Sequence, residues 1–176
     1  GYVIEDDYDS EFRLAGKPVQ PMQALDTAGR VIYVNTFSRT LAPSMRISYM
    51  ALPEGLMREF SEKLGFYACT VPVFEQLTLA KFIAEGYFER HLGRMRNIYR
   101  KKRDEAVCLF AGSGYPLEIT AEDAGLHFLV RLQTDLPDEE VRRRAAERGV
   151  RLAFLSDFTA EAGGASHCIV VNYSGL

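Results

Sequence analysis

The 176-residue chain is 47% hydrophobic and 26% charged, with 21 Lys and Arg against 24 Asp and Glu, a formal net charge of −3. This apolar fraction excludes a disordered tail, and the frequent charged and proline interruptions leave no run of roughly 18 apolar residues to span a bilayer, so a soluble protein without a membrane partner is expected. The acidic balance gives no whole-chain attraction for nucleic acid, and three widely spaced cysteines, Cys69, Cys108 and Cys168, form neither a disulfide framework nor a metal knuckle, which fits a cytoplasmic compartment. The opening GYVIEDDYD has no initiator Met and no leader pattern, and reads as the middle of a longer protein.

In chain order, GYVIEDD reads as a buried strand that delivers Glu5, Asp6 and Asp7 to a sheet edge. Arg30–Asn35 and Arg46–Ala51 share its β-branched and aromatic character, and the three predict strands of one parallel sheet. Between the first two, Gly16, Pro18, Pro21 and Gly29 permit at most a short helical turn. Helices are predicted over EGLMREFSEKLG after Pro53, over VFEQLTLAKFIAEG after Pro72 with an apolar face that includes Phe74, Leu77 and Leu79, and from Tyr87 to about Phe110, roughly 35 Å long. The basic residues of the last, Arg94, Arg96, Arg100, Lys101, Lys102 and Arg103, read as a solvated face. Beyond Gly112 the expected order is β-β-α-β-β: strands Leu117–Thr120 and Leu126–Leu132, a helix Asp138–Arg148, then strands Val150–Phe154 and Cys168–Tyr173. That is a small α+β subdomain with a loop over Ala160–Ser166.

Two stretches could carry chemistry. In Asn35–Arg46, NTFSRTLAPSMR, hydroxyls at Thr36, Ser38 and Thr40 and guanidiniums at Arg39 and Arg46 follow a strand's carboxyl end, where open α/β sheets bind ligands; this is what a phosphate needs. The alternative is that Thr36 and Ser38 cap a turn while Arg46 pairs with an acid of Glu5–Asp9. In EDDYDSEF, carboxylates beside Tyr8 could ligate a divalent metal, hold a protonated ring nitrogen, or sit in solvent. None of the three histidines, His91, His127 and His167, is near enough in sequence to complete a mixed metal site.

EDDYDSEF, GRVIYVNTFS, TLAPSMRISYM, VFEQLTLAKFIAEGYFERHLGRMRNIYRKKRDEAV and AGLHFLV together resemble the aminotransferase-like domain of the MocR/GabR group of GntR-type bacterial transcriptional regulators. The resemblance implies an α/β fold, the fold type I architecture of pyridoxal 5′-phosphate (PLP) enzymes. Residues 1–72 would be the C-terminal part of the large domain with its three-layer, mostly parallel sheet. Residues 73–112 would be interdomain helices and 113–176 the small α+β subdomain. It implies PLP as cofactor, with Asp6 on the pyridine nitrogen, Tyr8 near the ring hydroxyl, Thr36 and Ser38 beside the Schiff-base lysine and Arg46 on the phosphate, and no metal. It also implies a homodimeric parent protein, a small amino compound as effector or substrate, and DNA contact only through a winged helix N-terminal to this chain.

The chain departs from that pattern at the Schiff-base lysine itself, where Arg39 stands. A guanidinium is a poor nucleophile toward an aldehyde, so any cofactor would be held non-covalently, in a site this portion of the domain does not complete. Whether Arg39 is natural or introduced stays open. The last strand also lacks the family's carboxylate-holding arginine, with Val170 in its place. A PLP-binding effector sensor is therefore expected; the alternatives are a portion of a genuine class I/II aminotransferase and a vestigial dimerisation module.

Overall fold

The computed structural model describes residues 1–14, 19–120, 125–159 and 165–175. The chain divides into two compact units, Gly1–Glu11 with Lys17–Met95, and Phe12–Gly16 with Arg96–Leu176.

In the first unit, β1 (Val3–Asp6) and β2 (Val31–Thr36) pair in parallel, with Asp6 opposite Val34. Their connection contains the single turn α1 (Met22–Leu25), whose leading amides would otherwise lack partners; the Glu5 carboxylate accepts from Met22 N at 2.7 Å and from Gln23 N at 2.9 Å. Asp26 then steers the chain into β2. Its carboxylate accepts from the amides of Ala28, Arg30 and Val31 at 2.6–2.8 Å, and these bonds, Val31's first, hold its pKa below the usual value.

β3 (Ser48–Ala51) lies on the other edge of β2, as the third expected strand of the sheet, but it runs antiparallel. The link from β2 contains only one helical turn, α2 (Phe37–Thr40), and closes at once, Phe37 N donating to Ile47 O at 2.9 Å. A parallel partner would need a crossover of about a dozen residues or more to return to the opposite end of the sheet.

Three helices start directly after a proline: α3 (Glu54–Leu64) after Pro53, α4 (Val73–Ala84) after Pro72 and, in the second unit, α6 (Asp138–Ala146) after Pro137. In each the proline carbonyl accepts the first helical bond, while the ring needs no donor partner of its own. Gly86, at φ +74°, separates α4 from α5 (Tyr87–Ala111). The apolar face read into α4 is only partly covered: Leu79 is buried, while Phe74 is 80% and Leu77 66% exposed.

The second unit holds the antiparallel sheet β4-β5-β6, with β4 at Leu117–Thr120, β5 at His127–Leu132 and β6 at Cys168–Asn172. β5 alternates, burying Phe128 and Val130 on one face, and Phe154, Cys168 and Tyr173 close the core. The strand expected over Val150–Phe154 is reduced to a single bridge between Phe154 and Ile169. Asp157 accounts for the change: its carboxylate accepts from Phe154 N at 3.0 Å and turns the chain into a 3-10 helix at Leu155–Asp157. Most of the loop read over Ala160–Ser166 lies outside the described residues. The basic stretch of α5 is also not uniformly solvated, since Arg96, Lys102 and Arg103 are half-buried.

On α6, Glu140 accepts from Arg143 Nε and Nη2 at 2.9 and 2.8 Å and from Arg144 Nε at 2.7 Å. These bonds lower its pKa from 4.5 to about 2. A depressed carboxylate contributes stability that is present above its unfolded value and is lost as pH falls through its folded one. The stability advantage of the native chain over Glu140→Gln is therefore expected to shrink as pH falls from 4.5 towards 2. Urea unfolding at several pH values checks this, and a constant difference across that window would contradict it.

Candidate functional site

Strand alternation sorts the polar residues of the first unit onto two faces. Residues in register across a sheet share a face and neighbours along a strand do not, so Asp6, Val34, Thr36, Ser48 and Met50 lie on one side and Tyr33, Asn35 and Tyr49 on the other. Asp6 and Thr36 thus stand together at the carboxyl ends of two adjacent parallel strands.

On their side the chain builds a compact hydroxyl and guanidinium cluster. Thr36 caps α2, its Oγ1 accepting from Ser38 N at 3.2 Å and lying 3.2 Å from Ser38 Oγ. Ser38 Oγ donates to Met45 O at 2.9 Å and accepts from Arg46 Nη1 at 3.3 Å. Arg46 pairs with no carboxylate among the described residues, and Arg39 makes no hydrogen bond or ion pair among them. The pairing of Arg46 with an acid of Glu5–Asp9 is therefore not what forms. Glu5 is committed to α1, while Asp7 Oδ2 accepts from Tyr33 Oη at 2.8 Å and Ser10 Oγ at 2.9 Å, and Glu11 accepts from Asn35 Nδ2 at 3.2 Å. Asp6 is exposed and has no such partner among the described residues, and Tyr8 beside it is also exposed.

The opposite face carries a network that sequence reasoning missed. Asn35, 2% exposed, donates to Tyr33 Oη at 2.9 Å as well as to Glu11, and so ties the loop after β1 to β2. Burial first, and then the bond to Asp7, push the Tyr33 phenol well above its ordinary pKa, despite an opposing effect of Asn35. The alternation of Tyr33 and Asn35 in VIYVNT was the available signal, since two polar groups on one face of a buried strand need partners. A cavity of about 470 Å³ opens on this side, lined in part by Phe37, Thr40, Tyr49 and Phe88.

The donor set suits a phosphorylated pyridine. A carboxylate that holds no other donor fits a ring N–H, and an arginine with two hydroxyls fits a phosphate; the hydroxyl hydrogens now on Ile47 O and Met45 O can rotate onto an incoming oxygen. Among the described residues no group of three or more His, Cys, Asp or Glu is arranged to hold a metal ion, and no helix is long and apolar enough to cross a membrane.

The same architecture recurs in the kynurenine aminotransferase of Pyrococcus horikoshii, solved in complex with PMP. It superposes with a TM-score of 0.79 over 98% of this chain and 43% of that one, at 30% identity. The fold is that of the fold type I, PLP-dependent aminotransferases. No family model matches the chain. Its sequence is 41% identical to the HTH-type transcriptional regulator YhdI of Bacillus subtilis over 178 residues, 99% of this chain and 37% of that one. It is also 41% identical to the probable rhizopine catabolism regulatory protein MocR of Rhizobium meliloti over 157 residues, 88% of this chain and 32% of that one. Over nearly its whole length the chain is thus similar to regulators of the MocR/GntR type and, in fold, to aminotransferases, and it spans about a third of the length of these relatives.

Proposed function

We propose that this chain is the PLP-binding part of an effector-sensing domain in a bacterial transcriptional regulator, and that it holds the cofactor without a covalent bond. The observation that carries this reading is Arg46 on Ser38 beside Thr36, with exposed Arg39 in the same turn, neither arginine paired with a carboxylate among the described residues, and Asp6 on the same face of the sheet. Asp6 would accept from the pyridine nitrogen, and Arg46 with Ser38 and Thr36 would hold the phosphate. Tyr8 would serve the ring hydroxyl, and the Asp7–Tyr33–Asn35 network keeps the Asp6–Tyr8 segment in place. When bound, the cofactor supplies an electron-withdrawing ring and an aldehyde. Arg39 stands where a transaminase needs an amine that can lose its proton, so binding is retained and amino-group transfer is not.

In the complete protein a small amino compound is the effector, and DNA is reached through a winged-helix part outside this chain. The exposed apolar residues of α3, α4 and the loop between them, Phe66, Tyr67, Phe74 and Leu77 among them, support a homodimer that covers them.

Titration with PLP tests the proposal. Saturable binding that dialysis reverses and borohydride does not trap is expected, with Arg39→Lys converting it to a trapped covalent adduct read by mass. Absence of saturable binding, with Arg46→Ala indistinguishable from the native chain, would favour a dimerisation module instead. Trapping in the native chain would restore the enzyme reading.

A further inference from the structure

The single turn α2 has two sides, and they separate the two kinds of residue it carries. At 100° per residue Phe37 and Thr40 share a side, and both line the cavity on the Tyr33–Asn35 face of the sheet. Ser38 and Arg39 fall on the other side, and Ser38 there joins Thr36 and Arg46. Arg39 thus emerges next to the phosphate cluster, exposed and with no anionic partner among the described residues, although Arg46 already supplies that cluster with a guanidinium. One guanidinium in contact with the hydroxyls, from Arg46, and a second exposed one carried by the turn itself, from Arg39, suit a ligand with two separated anionic groups.

Resting on the phosphopyridine reading above, we infer that the site selects a phosphopyridoxyl group already joined to an amino acid, with Arg39 as the receptor for the amino acid's carboxylate. A guanidinium meets a carboxylate through two parallel N–H bonds, a geometry that a ligand without a carboxylate cannot offer. Pyridoxamine 5′-phosphate places an amine in the same region but brings no carboxylate, and so leaves Arg39 unpaired. The residue that removes the covalent link thereby sets the ligand's class: the domain reads a conjugate formed elsewhere instead of forming one.

The test is calorimetric titration of the full chain with three probes, N-(5′-phosphopyridoxyl)-L-leucine, PLP and pyridoxamine 5′-phosphate. The native chain is expected to bind the conjugate about 10- to 100-fold more tightly than pyridoxamine 5′-phosphate, the scale of one charge-assisted contact. Arg39→Met and Arg39→Gln, both at an exposed position and checked for folding by circular dichroism, are expected to bring the two ligands to within about threefold of each other while phosphate-dependent binding persists. Equal binding of the two ligands by the native chain would overturn the inference, and so would a preference that survives both substitutions. Binding of none of the three probes would overturn the phosphopyridine reading and the inference with it.

Discussion

Arg46→Ala is expected to abolish measurable binding of PLP at micromolar concentration while leaving the chain folded. The Arg46 side chain is exposed and its one side-chain hydrogen bond among the described residues, to Ser38 Oγ at 3.3 Å, is long, so the fold loses little with it. A phosphate loses much more. Each charge-assisted bond contributes about 1.5–3 kcal/mol, and a guanidinium normally makes two to a phosphate, so about 3 kcal/mol or more is at stake, roughly a hundredfold or greater in affinity. The neighbouring hydroxyls of Thr36 and Ser38 carry no charge to replace it. Fluorescence or calorimetric titration reads the loss directly, and an affinity within about threefold of the native chain would remove Arg46 from the phosphate site.

Phe128→Ala is expected to cost the second unit about 3–5 kcal/mol, enough to unfold a marginal unit at room temperature. Phe128 is fully buried in the middle strand of β4-β5-β6. Its ring meets Phe110 edge-on with centroids 5.9 Å apart and stacks on Tyr173 at 6.2 Å. Truncation removes the shared partner of both rings from a strand hydrogen-bonded on either side, so collapse around the void is limited. Tyr173, whose hydroxyl donates to Gly125 O, would lose its stacking partner as well. Urea denaturation followed by tyrosine fluorescence measures the change, with Phe128→Leu expected to lose less because it keeps most of the volume. A loss under about 1 kcal/mol for the alanine variant would mean that this ring is not the centre of that core.

Much of this architecture was legible because local signals agreed with the fold. The prolines at 53, 72 and 137 mark three helix starts, and the apolar periodicity from Tyr87 onward corresponds to α5 at Tyr87–Ala111. The direction of β3 was not legible, since RISYMA reads as a strand in either sense and only the closure of Phe37 onto Ile47 decides it. Val150–Phe154 had the composition of a strand, but the capping carboxylate that ends it comes from Asp157, beyond the segment itself. At the site, the residue types and their place at a strand end suggested an anion, and the register then brought Asp6 and Thr36 onto one face. Which acids were already committed was beyond the sequence. Glu5 bonds to amides 17 and 18 residues away and Glu11 to a side chain 24 residues away, contacts that only the folded chain defines.

The turn α2 also has a mechanical consequence. Its carbonyl at Thr40 is held by His91 Nε2 at 2.9 Å, and its Phe37 ring stands edge-on to Phe88 at 5.8 Å, both partners lying in the opening turns of α5. Ser38 and Arg39 lie on the polar side of the turn, while its other side is tied to the first residues of α5, so the same four residues carry both sets of contacts. A change of position at Ser38 or Arg39 would therefore be shared with Phe88 and His91 through the ring contact and the bond at Thr40.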